Sequence, residues 1–358
     1  MLQQSLVLGV ILSIPLTGLG LTIAEPLLAA FGAAPDVLAM ATSYVRILSL
    51  VTFFMFVNFV GGGALRGAGD TRTPLLVGGL VNVVNFGLNV NLIFGNLGAP
   101  RLGVTGAAIG TSVSYVVGAL AFLGVFLRGR GLLRLSLKGR GVSRDTIRRV
   151  LHVGAPAAVE QVLLQVAFFV WLGMVFQFGT EIVAAHQIGL RIQSFAFMPG
   201  FGFAIAATAL VGQNLGARAP EAAERSGWEA TKLSVLIMVG LAATIALAAP
   251  VLALVFSRDP VVVDWTVVWI RIHALSIPAV GVYFTIDGAL RGAGDTRYTL
   301  LASALGMYAL RLPLALLLGF YTPLGIIGVW IPLVVEYYAR SAIIVGRFRS
   351  GRWKHIAV

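Results

Sequence analysis

The sequence predicts an all-helical integral membrane protein built from two homologous helix bundles arranged as a parallel repeat. Three observations predict it. Of 358 residues, 58% are hydrophobic and only 11% are charged, at a mean hydropathy of +0.93, whereas a soluble domain carries about 25% charged residues. The apolar residues gather in runs long enough for a helix to cross a bilayer. A ten-residue segment, GALRGAGDTR, stands at Gly63–Arg72 and again at Gly288–Arg297. So little polar surface excludes a soluble enzyme and a disordered chain. The absence of cysteine excludes a disulfide scaffold and thiolate metal sites.

Ten runs are expected to span: 5–31, 38–64, 74–97, 103–127, 152–178, 187–213, 231–256, 262–287, 298–321 and 324–346. Lipid offers the backbone no hydrogen-bond partner, so each must be a helix. The first run lacks a basic leader and a cleavage site and reads as a span. The segment after the fourth run carries Arg128, Arg130, Arg134, Lys138, Arg140, Arg144, Arg148 and Arg149 against Asp145 alone, which places it in the cytoplasm. Alternation then puts both termini inside, along with Arg66, Arg72, Arg218, Arg225, Arg291 and Arg297, and leaves Arg101 and Arg258 outside. The expected organisation is a four-span bundle over 1–127, a basic linker over 128–150, a six-span bundle over 151–347 and a basic tail over 348–358. The net charge of +12 is therefore topological and does not point to nucleic acid. Arg46 and Arg271 read as anchors that snorkel at outer span ends.

The repeat extends beyond the motif. The same offset of 225 positions pairs Phe31 with Phe256, Pro35 with Pro260, Arg46 with Arg271, Ile47 with Ile272 and Leu50 with Leu275. GVTGAA at Gly103 matches GIIGVW at Gly325 with a three-residue slip. Both motif copies fall at inner ends of spans, so the repeat axis runs along the membrane normal. Met1 aligns with Ser226, which leaves the two spans between 151 and 225 without an upstream counterpart. A six-plus-six protein is expected, of which this chain carries four plus six spans; a family form that is complete with ten is the alternative. Locally, Gly and Asp-Thr suit a tight interhelical turn. The functional alternative is a latch pairing Arg66 with Asp70, and Arg291 with Asp295, across the two bundles.

The duplicated GALRGAGDTR, GAPAAVEQ at Gly154–Gln161, AAHQIGLRIQSFAFMPGFG at Ala184–Gly202 and LVGQNLGA at Leu210–Ala217 together closely resemble the multidrug and toxic compound extrusion (MATE) family, over the whole chain. The resemblance implies a twelve-helix, bilobed transporter with a central cavity, which here lacks the first two family helices. It implies export of cationic or amphiphilic drugs and toxic compounds in exchange for sodium ions or protons by alternating access. It implies a monomer in the inner membrane, no enzymatic activity, and no cofactor other than the coupling ion. Two alternatives stand beside it: a lipid-linked precursor flippase of the same superfamily, and a transport-inactive fragment.

An ionisable residue within the bilayer marks function by default. Glu160 lies in the fifth span beside Gln161 and Gln165, and a carboxylate there is costly unless it is protonated, paired or wetted. It is the leading candidate for cation coupling. Asp287 near the inner end of the eighth span, Arg311 in the ninth and Glu336 in the tenth are the others. Glu336 and Arg340 are four residues apart and can pair on one helix face; Arg311 needs an acid, and Glu336 or Asp287 can supply it. A structural ion network is the alternative to a charge relay. Asn82, Asn85 and Asn89 form one polar stripe in the third span, suited to cavity lining or to interhelical hydrogen bonding. Many relatives carry Asp at the place of Asn89. Phe168 and Met198, with Phe169, Trp171, Phe195 and Phe197 nearby, offer aromatic and adaptable surface to flat cations. His186 has no second ligand at metal-site spacing, so no metal is expected. No GxxxxGK[ST], HExxH or catalytic-triad pattern occurs, which argues against ATP as energy source and against hydrolysis.

Overall fold

The computed structural model describes residues 2–30, 35–129, 133 and 144–356. Most of the basic linker expected over 128–150 lies outside the described residues. The chain folds as helices: α1 (Leu2–Ala30), α2 (Pro35–Leu50), α3 (Thr52–Gly67), α4 (Arg72–Phe94), α5 (Gly103–Arg128), α6 (Arg144–Val175), α7 (Thr180–Gly216), α8 (Pro220–Leu247), α9 (Ala249–Phe256), α10 (Pro260–Ala274), α11 (Ile277–Gly292), α12 (Thr296–Ala304), α13 (Leu312–Phe320) and α14 (Ile326–Arg349). Among the described residues, eight helices are long and apolar enough to cross a membrane, with α12 and α13 counted as one. The pairs α2–α3 and α10–α11 raise that number to ten, each bent, by 56° and 47°.

The chain divides into two compact units, Met1–Val150 and Leu151–Val358. In the first, α1 packs on α2 and α3, and α5 packs on α3 and α4, around a small core of Leu65, Val77, Phe122 and Phe126. In the second, α11 packs on α7, α8 and α14. Its core is far larger and includes the fully buried Trp171, Trp269 and Trp330.

The repeat seen in the sequence reappears in the elements, since α2–α3 and α10–α11 start, bend and stop at corresponding positions. Each bend has a hydroxyl that hydrogen-bonds back into the preceding turn: Thr52 Oγ1 donates to the Ser49 carbonyl at 2.7 Å, and Ser276 Oγ to the His273 carbonyl at 2.6 Å. Such bonds compete with the helical ladder and bend it. The second copy adds Pro278 at the start of α11, where a missing N–H costs nothing.

The ninth expected span is not a plain helix. Between α12 and α13 a π-helical stretch covers Leu305–Arg311. Pro313 cannot donate to the carbonyl four residues back, and a wider turn accommodates that gap. The turn carries Arg311 into the interior, where it is buried.

The motif GALRG also has a packing role that its turn residues conceal. Gly288 and Gly292 stand four apart on α11. A Cβ at Gly288 would lie 2.3 Å from the Ala204 carbonyl oxygen of α7, and one at Gly292 would lie 2.4 Å from that of Thr208. Thr208 Oγ1 donates to the Gly288 carbonyl at 2.8 Å. Small residues spaced by four let two membrane helices touch backbone to backbone.

The segment after α14 is docked through Trp353 and Lys354. Trp353 is fully buried and stacks on Phe348 at 4.6 Å, and Lys354 pairs with Glu224 of α8.

Candidate functional site

The second unit holds a buried ionic cluster drawn from four α-helices and the π-helical stretch. Glu160 of α6 is 1% exposed. Its Oε2 accepts from Arg291 Nη2 of α11 at 2.6 Å and from Thr299 Oγ1 of α12 at 3.3 Å; its Oε1 accepts from Ser303 Oγ at 2.5 Å. Arg291 Nε donates to Asp287 Oδ2, one turn back on α11, at 2.7 Å. Ser303 also receives a bond from Arg340 Nη2 of α14 at 2.7 Å. Arg340 continues to Glu336 Oε1 at 2.7 Å and to the Tyr283 hydroxyl, with its guanidinium 3.9 Å above the Tyr283 ring. Arg311 Nη1 lies 3.8 Å from Glu336, and its guanidinium stacks 4.3 Å over Trp171.

Three carboxylates thus face three guanidiniums. A buried charge is tolerated only when paired and hydrogen-bonded, and this cluster meets the condition with little to spare. Two carboxylate oxygens in it, Asp287 Oδ1 and Glu336 Oε2, are buried with no hydrogen-bond partner among the described residues.

The cluster forms one wall of a cavity of about 500 Å³ within this unit. Glu160, Asp287, Arg291 and Arg340 line it on the charged side, and Gln161 joins them. Phe197, Phe201 and Phe284 line the apolar side. Phe201 and Phe284 are stacked at 4.5 Å, and Phe197 meets Phe284 edge-on at 5.6 Å. A larger groove, about 690 Å³, runs along α7 and α8 between Leu210, Leu233 and Leu236 with Arg225 and Lys232 beside it, and it contains no buried charge.

The sequence-derived candidates fall as follows. Glu160, Asp287, Glu336 and Arg311 come together in one cluster. Glu336 and Arg340 pair along α14 as their spacing suggests, and Arg311 meets Glu336. Glu160 does not lean on flanking amides: Gln161 and Gln165 are exposed, and Glu160's partners come from α11 and α12 instead. Gln165 lies outside the cavity lining. So do Phe168, which packs against Trp171 at 6.4 Å, and Met198, which is exposed; their neighbour Phe197 is the residue that lines the wall. In the first unit Asn82 is exposed. Asn85 donates to Thr111 Oγ1 and Ser114 Oγ of α5 at 3.2 and 3.3 Å, and Asn89 donates to Asn85 Oδ1 at 3.1 Å. That stripe hydrogen-bonds α4 to α5.

The latch pairing of Arg291 with Asp295 is corrected in the second motif copy. Arg291 turns to Glu160 and Asp287, while Asp295 accepts from Arg347 Nε at 2.7 Å, all within the second unit. Asp70 instead accepts from the Thr73 amide at 2.9 Å and its hydroxyl at 2.6 Å, bonds that hold its carboxyl below the ordinary carboxylate range. His186 accepts from Trp269 Nε1 at 2.9 Å inside the tryptophan core. Tyr283, Ser303 and Phe201 were not among the sequence candidates, and Arg291 was singled out only as a latch residue. Tyr283, Asp287 and Arg291 stand at i, i+4 and i+8, and that spacing was the available signal that one face of α11 is polar.

The MatE family model matches residues 1–91 and 156–317. The chain is 33% identical over 328 residues to a probable multidrug resistance protein NorM of Thermotoga maritima, covering 90% of this chain and 69% of that one. Its fold matches an outward-facing multidrug resistance MATE family transporter of the MOP superfamily at a TM-score of 0.90 and 26% identity, over 97% of this chain and 78% of that one. It also matches a MOP superfamily transporter from Pyrococcus furiosus, described as having a binding pocket of reverse polarity that suggests a different function, at a TM-score of 0.91 and 26% identity, over 96% and 76%.

Proposed function

The chain belongs to the MatE family, a family of multi-pass membrane transporters rather than enzymes, and we propose that it is a secondary antiporter that exports cationic or amphiphilic compounds in exchange for sodium ions or protons by alternating access. In this reading it acts as a monomer in the inner membrane with both termini in the cytoplasm, the orientation that the basic segments favour.

The observation that carries the reading is the charge-balanced cluster at the wall of an aromatic cavity. With three carboxylates against three guanidiniums, the site is neutral. One added proton or sodium ion leaves one surplus positive charge. A flat organic cation lying on Phe201 and Phe284 would be a second. Two unit charges about 4 Å apart repel by about 4 kcal/mol at an effective dielectric constant near 20, so the coupling ion and the drug occupy the site in turn. Mutual exclusion of that kind is the thermodynamic basis of exchange. Glu160 is the residue assigned to coupling, because it is the most deeply buried of the acids that line the cavity and its partners come from other helices.

The flippase reading asks for guanidiniums free to hold a pyrophosphate. Arg291, Arg311 and Arg340 each face a carboxylate of the cluster, which favours the antiporter.

The test is ethidium efflux from everted vesicles under an imposed sodium gradient and, separately, a proton gradient. Glu160→Gln is expected to insert normally and to lose efflux driven by whichever ion accelerates the wild type. Wild-type rates in the variant would remove Glu160 from coupling.

A further inference from the structure

Resting on that reading, we propose that Arg291 is a tethered internal cation: its guanidinium occupies the position between Glu160 and Asp287 that the coupling ion takes, and it must leave for the ion to enter.

The geometry sets Arg291 apart from the other two arginines. Its Nη2 and Nε bridge two acids on different helices at 2.6 and 2.7 Å, so one side chain satisfies both halves of a two-carboxylate site. Arg340 and Arg311 have side chains only 3% and 5% exposed. They are held by Glu336, the Tyr283 hydroxyl and the Trp171 face. The Arg291 side chain is 26% exposed. It sits one residue from the end of α11, beside the Gly-rich turn that follows, so its long stem can swing the charge out along the helix end. Asp287 supplies the open coordination point, since its Oδ1 is buried and takes no hydrogen bond among the described residues. An ion entering there finds Asp287 Oδ1 free and Glu160 Oε2 still held by Arg291. Binding of the ion and retention of Arg291 therefore compete for the same two carboxylates, and the surplus positive charge that the ion brings is carried by the displaced guanidinium. The other charged groups of the cluster are Glu336, Arg340 and Arg311, one acid against two guanidiniums, and the hydroxyls beside the pair are those of Tyr283, Thr299 and Ser303.

Arg291 would then be a positioning residue for the exchange rather than a ligand of the ion. It keeps the empty site occupied by a charge of the right sign, so that the site is not left as two bare acids between transport events.

Dicyclohexylcarbodiimide modifies intramembrane carboxyls that are free to take a proton, and an ion pair with a guanidinium suppresses it. Labelling of Glu160 would be followed by peptide mass spectrometry on the full chain in nanodiscs, at several pH values and with or without sodium. Arg291→Gln is expected to speed labelling of Glu160 by about tenfold or more, and Arg291→Lys to restore much of the slow rate. Protection by sodium in Arg291→Gln identifies sodium as the competitor; suppression by high pH alone identifies the proton. Asp287→Asn is expected to act in the opposite direction. It leaves Arg291 to Glu160 alone and slows labelling below wild type, so the proposal stays open to refutation even if Arg291→Gln fails to fold. Equal labelling of wild type, Arg291→Gln and Asp287→Asn would overturn it. If Glu160→Gln retained ion-driven efflux, the coupling reading itself would fail, whatever the labelling showed.

Discussion

The two copies of GALRGAGDTR share ten residues and nearly the same bent-helix frame, yet Gly288 and Gly292 press on the backbone of α7, while a Cβ at Gly63 or Gly67 would meet no atom within 4 Å among the described residues. In the second copy Arg291 reaches back one turn to Asp287. In the first, the position matching Asp287 is Gly62, and the Arg66 guanidinium lies where a side chain there would begin, 3.2 Å from its Cβ position. Arg340 and Gly306 meet in the second copy, where a Cβ on Gly306 would come within 2.5 Å of Arg340 Cγ. Their counterparts are Gly118 and Val81, and a Cβ on Gly118 would come within 2.5 Å of Val81 Cγ2. Large and small have changed sides, so each interface stays filled. Glu336 and Arg311 correspond to Ser114 and Phe86. One duplicated scaffold therefore supports a buried ion network in one half and an amide-hydroxyl ladder in the other, and the exchange is achieved by compensating volume as much as by charge.

The sharpest way to break this comparison is to remove Arg340. Arg340→Met leaves Glu336, which is fully buried, facing only Arg311 at 3.8 Å. Breaking a buried pair from one side costs about 3–5 kcal/mol, which should appear as a large drop in the detergent melting temperature. Adding Glu336→Ser, the residue of the first copy, should recover part of the loss, because the stranded acid is gone. No recovery would mean that the charges are not the reason the cluster holds together.

The same substitution in the two motif copies should give opposite results. Gly288→Ala places a methyl 2.3 Å from a carbonyl oxygen of α7; overpacking of this kind costs about 1–3 kcal/mol. Gly63→Ala meets no atom within 4 Å among the described residues. It should be neutral or stabilising by about 0.5–1 kcal/mol, because glycine weakens a helix interior. Equal destabilisation of the two, read from paired melting curves, would show that the copies pack alike.

Asn85→Ala is the smallest of these effects. It removes amide bonds to Thr111 and Ser114 and the bond from Asn89. Interhelical hydrogen bonds in membranes are worth about 0.6 kcal/mol on average and about 1.7 at most, so melting should fall slightly with efflux preserved.

Much of the fold was legible in the sequence because bilayer physics is local. Each span shows itself as an apolar run, and the repeat shows itself as identity at a fixed offset. The Glu336–Arg340 pair was legible for the same reason, as two residues four positions apart on one helix. The bend at Ser49–Thr52 was not, because no proline or glycine marks it; only the hydroxyl bonds of the folded chain do. Nor was the partner of Glu160. Arg291 lies 131 positions away, and the repeated Asp295 beside it offered a nearer and more obvious acid. Tertiary packing hands that acid to Arg347 and turns Arg291 inward. Side-chain direction along α11 decides this, and direction depends on which helix lies against which face.

The central claim is that coupling resides in the ion cluster of the second unit and not in the amide-hydroxyl ladder of the first. Ion-driven ethidium efflux should be measured for wild type, Glu160→Gln and Asn85→Ala in everted vesicles at matched expression. The account predicts that Glu160→Gln falls to background while Asn85→Ala stays near wild type. Efflux that survives Glu160→Gln but is lost in Asn85→Ala would contradict it and move the coupling site to the first unit.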